Sequence, residues 1–306
     1  MRCVVAGLGV QGLKRRHHAG HDYVASVDPI NAEAKFRDLK EVPLNSYDAV
    51  LACIPDQPKL ELLRYCLNNG KHVLVEKPLW VDCDDEILAL ERLARERNIV
   101  LYTAYNHRFE PHFVQMRDLI NSGELGRIYS CRMFYGNGTA RLVRDSLWRD
   151  QGAGVLPDLG SHLLDTCRFW FGDQFGEFSV TAAHCFENRA PDHVIISTEH
   201  GELRIELEMT LCMWRNHFTC DILAEKGTAH IESLCKWGPS TFSVRRRILP
   251  AGRPPERHVT LVQSDPTWEA EYSHFKNLVK RGAQTDLGTD FWLQTNLRRM
   301  SESVIS

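Results

Sequence analysis

The sequence predicts an α/β chain: a doubly wound parallel sheet in its N-terminal third, followed by an α+β portion with a mainly antiparallel sheet. Three observations carry this expectation. Short β-branched runs alternate with helical stretches as far as residue 107, those runs are apolar at nearly every position, and beyond Gly126 the texture changes to longer segments of alternating character. Strands that alternate with helices need right-handed crossovers and so lie parallel. A sheet covered by helices on both faces leaves its strands no wet side, whereas period-two alternation marks a strand with one face in water.

Taken in order, CVVAG (3–7) reads as the first strand and QGLKRRHHAG (11–20) as its helix. YVASVD (23–28) and NAEAKFRDLK (31–40) form the next strand and helix, then YDAVLACIP (47–55) and PKLELLRYCLNNG (58–70). KHVLVEKP (71–78), DCDDEILALERLARERN (82–98) and IVLYTAY (99–105) complete the parallel pattern, with helix ends marked by Asn69-Gly70 and Asp82. RIYSCRMFYG (127–136), FSVTAAHCFE (178–187), HVIISTEH (193–200), ELRIELEMTLCMW (202–214) and HFTCDILAE (217–225) read as the second set of strands. A strongly apolar helix, PDLGSHLLDTCRFWFG (157–172), precedes most of them, and two helices within 268–282 and 291–304 close the chain. The segment 245–258 is a polar, proline-rich hairpin or loop between strands. The expected division is a dinucleotide-binding domain over 1–107 and an α+β domain over 108–306.

Composition bounds the function. Of 306 residues, 43% are hydrophobic and 25% charged, which is ordinary globular usage and excludes a disordered or fibrous chain. Thirty-seven Lys and Arg against 40 Asp and Glu leave −3, so no global attraction draws the chain to nucleic acid or an anionic membrane. No stretch approaches about twenty apolar residues, and the start lacks the charge order of a secretory signal, so a cytoplasmic protein is expected. The ten cysteines are scattered without a CxxC, which reads as small, reduced core residues and no metal site.

The most specific local signal is Gly7-Leu8-Gly9-Val10-Gln11-Gly12, a GxGxxG directly after a strand and opening a helix. The first glycine permits a tight turn, the second a close backbone approach to a pyrophosphate, and the third close packing of helix on strand. Free N–H groups at the helix start then face the anion. Asp28, at the end of the second strand, can accept both hydroxyls of an adenosine ribose and would repel a 2′-phosphate. Pro29-Ile30-Asn31 follow with no adjacent arginine, so NAD is preferred over NADP.

Three other segments bear chemical groups. Lys77 ends a buried strand, at the edge where open α/β sheets bind ligands, although a lysine just past a strand is also an ordinary surface residue. Asp158 and His162 are four apart in a helical segment, sharing one face; they form either an acid/base pair or a polar staple with a histidine satisfied in the core. Asn106, His107 and Arg108 straddle the change between the two sequence textures, where His107 and Arg108 read best as packing residues. Arg141, Arg144 and Arg149 precede the Asp158 segment and suit either an anionic substrate or pairing with Asp145 and Asp150.

GLGVQG, GKHVLVEKPL (70–79), YNHRFEP (105–111), 147–172 and AEKGTAHIE (224–232), taken in that order, resemble the motifs of the Gfo/Idh/MocA family of nicotinamide-dependent oxidoreductases. The resemblance implies a Rossmann domain followed by a domain on a large open sheet, whose exposed face makes homodimer or homotetramer contacts. It implies catalytic roles for Lys77, Asp158 and His162, with substrate also held by Asn106, Arg108 and Arg149. The implied cofactor site comprises Gly7, Gly9, Val10, Gln11, Gly12, Asp28, Ile54, Pro55, Glu76 and Lys77. One departure is Ile54-Pro55-Asp56-Gln57-Pro58-Lys59, where many members carry a histidine, and it bears on where the local helix starts. The activity so implied is hydride transfer between NAD(H) and a secondary alcohol or ketone of a sugar, polyol or sugar derivative, acidic or nucleotide-linked ones included. The alternatives are a non-catalytic NAD-binding regulator and a reductase of C=N or C=C bonds.

Overall fold

The first sheet of the computed structural model, which describes residues 1–146 and 149–305, is built from strands with almost no exposed position. β1 (Cys3–Ala6), β2 (Tyr23–Val27), β3 (Ala49–Ala52), β4 (His72–Glu76) and β5 (Leu101–Ala104) lie all parallel in the order β2-β1-β3-β4-β5. The chain therefore steps from β1 to one side and then returns to the other, and the carboxyl ends of β1 and β3 flank the switch point where such sheets take ligands. Helices α1 (Val10–Ala19), α2 (Lys59–Asn68) and α3 (Asp84–Glu96) provide the crossovers.

Two apolar clusters cover the two faces of this sheet. One gathers Val4, Val50, Val73 and Val75 with Leu63, Leu67, Ile87 and Leu90 of α2 and α3. The other gathers Cys3, Val5, Leu51 and Leu74 with Tyr272 and Phe275 of α7 (Thr267–Lys280). Residues 1–106 and 267–294 make up this first compact unit, so α7 and the start of α8 (Gly288–Ile305) go with the parallel sheet, apart from the rest of the expected 108–306. The reason is visible in the side chains: Phe275, with no exposed surface, fills the face of the sheet left by α1, and the Thr285 hydroxyl bonds the backbone of Ile99 and Leu101 at 2.8 and 2.9 Å.

The helix expected over 31–40 is absent. Asp28 accepts hydrogen bonds from the backbone of Ile30 and Asn31, Asn31 accepts one from Glu33, and Phe36 pairs with β2 through a bridge to Val27. Local side-chain acceptors thus close turns that compete with the helix, and Phe36 reaches the core from an extended segment.

The second unit comprises 107–266 and 295–306. Its eight-stranded sheet runs β13-β12-β11-β10-β6-β9-β8-β7, with β6 (Ile128–Gly136), β7 (Ser179–His184), β8 (His193–His200), β9 (Leu203–Thr210), β10 (His217–Ala224), β11 (Gly227–Glu232), β12 (Ser240–Arg246) and β13 (Glu256–Leu261). Neighbours are antiparallel except β6 and β9. The segment 245–258 forms the end of the β12–β13 hairpin: 245–246 and 256–258 belong to the strands and 247–255 connects them. One face is covered by α4 (Pro111–Asn121) and α6 (Ser161–Phe171): Phe113 lies 5.0 Å from Phe218 and 5.2 Å from Trp170, ring centre to ring centre. The other face bears cross-strand polar pairs, among them Arg132 with Glu206, His230 with Asp221, and Ser243 with His258. Six of the ten cysteines are buried, as expected, but Cys83 and Cys185 are exposed; none forms a disulfide. No helix among the described residues is long and apolar enough to cross a membrane.

Candidate active site

The glycine turn of the first unit is fixed from both sides: Gly7 donates to the Val27 carbonyl at 2.8 Å, and the Cys53 amide to Ala6 at 2.7 Å. Gly7 has φ +88°, and a Cβ there would lie 2.3 Å from the Cys53 oxygen. A Cβ on Gly12 would lie 1.8 Å from the Gly7 oxygen, because α1 sits directly on the turn. Gly9 is the opposite case, with extended backbone and nothing within 4 Å of its missing Cβ. The start of α1 has no side-chain cap and no acidic residue in its first turn, and Val10 and Gln11 are exposed there. Open space, unmasked N–H groups and a positive helix end together fit a pyrophosphate.

The two glycines should therefore respond differently to alanine. Gly12→Ala is expected to cost about 3 kcal/mol of stability or more by forcing backbone apart. Gly9→Ala should change stability by less than about 0.5 kcal/mol and weaken dinucleotide binding at least about tenfold. Urea unfolding and NADH fluorescence titration separate the two.

Asp28 is half-buried and accepts three backbone N–H groups, from Leu8 at 2.7 Å, Ile30 at 2.9 Å and Asn31 at 2.8 Å. Burial alone would raise its pKa, but those donors and the nearby Arg37 charge hold it below the usual carboxylate range. Arg37 does not adjoin Asp28 in the sequence. The Phe36 bridge brings it back, and its guanidinium donates to the carbonyls of Asp28 at 3.2 Å and Asn31 at 2.7 Å. Ile54 and Pro55 follow β3, with Ile54 packed beside the Gly7 turn.

Lys77 directly follows β4 and is half-buried. Its two neighbours are held from below. The Glu76 carboxylate accepts from Arg15 Nε at 2.7 Å, which commits this expected cofactor residue to a buried ion pair. Lys59, the first residue of α2 and only 2% exposed, donates to Asp56 at 2.5 Å and to the Pro78 carbonyl at 2.9 Å. Lys59 thus starts the helix and ties down the Lys77-Pro78 loop. Asn106 donates its side-chain N–H to Thr267 at 2.9 Å in this same unit.

In the second unit, Leu156–Gly160 forms a turn of π-helix that runs into α6. Leu147 and Trp148, at the head of the motif containing it, lie outside the described residues. Asp158 sits in the wider π turn and His162 in the first α turn, so the expected shared face of one α-helix is replaced by a π-to-α junction, a feature common at functional sites. The turn approaches β9 closely: a Cβ on Gly160 would lie 2.9 Å from Met209 Sδ. Asp158 is 3.6 Å from Arg149, whereas Arg141 and Arg144 are exposed on α5 (Ala140–Arg144). Arg108 grips the fully buried Asp165. Burial pushes the Asp165 pKa up, and the Arg108 charge opposes that rise.

His162 is 9% exposed and stacks on His107 with ring centres 4.0 Å apart. His107, read from sequence as a packing residue, is thus part of the imidazole site. Tyr135 of β6 lies 5.5 Å from His107 and 6.1 Å from His162. Lys236 Nζ stands 3.3 Å from His107 Nε2 and 3.4 Å from the Tyr135 oxygen. Neither Tyr135 nor Lys236 belongs to a local motif, and only sheet register brings β6 beside β10, whose other neighbour β11 leads to Lys236.

Residues 1–105 match the oxidoreductase family with NAD-binding Rossmann fold, and 113–230 match the GFO/IDH/MocA C-terminal domain. The chain belongs to the Gfo/Idh/MocA family. Inositol 2-dehydrogenase of Rhizobium meliloti (strain 1021) is 27% identical over 52% of this chain and 49% of its own length. Trans-1,2-dihydrobenzene-1,2-diol dehydrogenase of Oryctolagus cuniculus is 26% identical over 71% and 65%, respectively. The chain spans about half the length of the first curated relatives it matches. In fold it is similar to levoglucosan dehydrogenase in complex with NADH and levoglucosan, with TM-score 0.84, 19% identity, and coverage of 100% and 97% of the two chains.

Proposed function

We propose that the chain is a nicotinamide-dependent dehydrogenase interconverting a secondary alcohol and a ketone on a sugar, polyol or sugar derivative. The observation that carries this reading is the glycine turn, open at Gly9 and closed to any Cβ at Gly7 and Gly12, with Asp28 held ionised at the end of the next strand. Gly7, Gly9, Val10, Gln11, Gly12 and Asp28 hold the dinucleotide in this reading, with Ile54 and Pro55 at the rim. When bound, the nicotinamide supplies the hydride acceptor for oxidation and the donor for reduction.

His162 takes the hydroxyl proton as the carbonyl forms and returns it in the reverse direction. Its stacking on His107 limits the ring's freedom, which keeps the accepting nitrogen at one place. Asp158 balances the imidazolium charge, and Lys77 donates a hydrogen bond to the oxygen on which negative charge develops. The dinucleotide is NAD before NADP: the Asp28 carboxylate repels a 2′-phosphate, while Arg37 already serves two carbonyls.

The test is absorbance at 340 nm with NAD+ and NADP+ against inositols, hexoses, hexitols and sugar acids. Reduction of NAD+ by at least one polyhydroxylated compound, faster than that of NADP+, is expected. Tight NADH binding without turnover on any of them would instead favour a cofactor-binding regulator.

A further inference from the structure

We propose that Lys236, together with the Tyr135 hydroxyl, receives a carboxylate carried by the substrate, so that the site favours sugar acids over their neutral counterparts. The inference rests on the dehydrogenase reading for its substrate class and on the second unit alone for its geometry.

Lys236 occupies a short 3-10 turn, Cys235–Trp237, between β11 and β12. The turn is pinned in place. Glu110 accepts the Cys235 amide at 3.2 Å and the thiol at 2.9 Å, and Leu234 and Cys235 are buried. The lysine is half-buried, and its ammonium lies 4.8 Å from the centre of the Trp237 ring and 5.8 Å from that of Tyr135. Its hydrogen-bonding partners are the His107 imidazole and the Tyr135 phenol, both neutral acceptors. No carboxylate comes within ion-pair distance of it among the described residues, whereas Arg108 and Arg149 of the same unit each hold an aspartate.

An ammonium drawn off the surface normally meets a counter-charge, because partial desolvation costs energy that neutral acceptors only partly return. Two acids act on the adjoining Cys235, Glu110 by accepting its hydrogen bonds and Asp265 through space, but neither reaches Lys236 at ion-pair distance, so a directly paired counter-charge is left for a ligand to bring. By donating to His107 Nε2, Lys236 also makes that nitrogen an acceptor, and it occupies the acceptor side of the Tyr135 oxygen, leaving the phenol proton to be donated onward. One ammonium and one phenol O–H match the two oxygens of a carboxylate. The three oxygens of a phosphate are matched better by an arginine fork or a nest of backbone N–H groups than by one ammonium and one phenol, and Arg108 and Arg149 of this unit each already hold an aspartate. Lys236 and His162 both contact the His107 ring, one at its Nε2 edge and the other on its face, so the acidic group and the reacting hydroxyl fit within one small molecule.

The experiment pairs compounds that differ chiefly in the carboxylate: D-gluconate with D-sorbitol and D-glucuronate with D-glucose, with D-glucose 6-phosphate as a third anion. Thermal melting of the full chain is followed with NAD+ in excess. At least one carboxylate should raise the melting temperature by about 2 °C or more over its neutral partner. Lys236→Met should abolish that difference and Lys236→Arg keep most of it. With a reacting sugar acid, Lys236→Met should raise KM about 10- to 100-fold, the range of a charge-assisted hydrogen bond, and change kcat by less than about threefold. Equal shifts for acid and neutral partner, a larger shift with the sugar phosphate, or an undiminished preference in Lys236→Met would overturn the proposal. Carboxylate-selective binding without any NAD+ reduction would leave it standing and overturn the dehydrogenase reading. Reduction of NAD+ by neutral polyols with no carboxylate preference would do the reverse.

Discussion

Replacing Arg15 with methionine is expected to lower the stability of the first unit by about 3–5 kcal/mol. The guanidinium is 1% exposed and holds two carboxylates, Glu76 at 2.7 Å and Glu271 at 2.7 Å, the second with no exposed surface. Trp268 closes the remaining side, its ring centre 4.3 Å from the guanidinium carbon. A methionine would fill much of the volume but leave the buried Glu271 and the half-buried Glu76 without their shared cation. One of them would then have to take up a proton or draw in water, and either route costs several kcal/mol. Arg15→Lys keeps the charge and loses the fork, so an intermediate loss is expected. Glu271→Gln removes one negative charge and should be milder than Arg15→Met. Urea titration read by tryptophan fluorescence measures the change as a lower midpoint at nearly constant slope. A loss under about 1 kcal/mol in Arg15→Met would mean that the triad contributes little. Turnover should fall as well, because Glu76 immediately precedes Lys77 and its anchor to α1 sets where that ammonium begins.

The same triad marks the limit of what the sequence discloses. The glycine turn and Asp28 were legible because the motif is contiguous: Gly12 answers to the Gly7 oxygen within the same strand-turn-helix unit and strand length alone puts Asp28 at the end of β2, although the contact that closes Gly7 comes from Cys53 after β3. Glu271 lies in a helix that sequence order assigns to the other domain, and nothing in its spacing points back to Arg15. The segment 31–40 has a composition that suits a helix, yet side-chain acceptors at Asp28 and Asn31 and the apolar anchor Phe36 favour turns and an extended bridge. Arg37 went unseen for the same reason, since only that bridge returns it to Asp28. Four-residue spacing identified Asp158 and His162 but assumed an α-helix, and a π turn spaces side chains differently. Tyr135, His107 and Lys236 are joined by cross-strand register, which a reading of periodicity along one strand does not contain.

Truncation of His162 to alanine is expected to lower kcat by about 10²- to 10⁴-fold, the usual contribution of a positioned general base, and to leave NADH affinity within about twofold because the dinucleotide cradle is built wholly by the first unit. The structural cost should be modest by comparison. His162 retains a little exposure, its ring packs face to face with His107 rather than interlocking with the apolar core, and the hydrogen bond from Thr166 reaches its backbone carbonyl, which alanine keeps. A loss of activity through misfolding would therefore be accompanied by a lower melting temperature, and a loss through chemistry would not. Stopped-flow single turnover with NAD+ isolates the proton-coupled hydride step from product release. An alanine variant with near-normal single-turnover rates would remove His162 from the reaction and leave Lys77 as the residue to test next. A slow variant with intact cofactor binding, partly rescued by added imidazole, would tie the missing function to proton transfer at that position, since a diffusing base can replace a lost proton acceptor but not a lost packing contact.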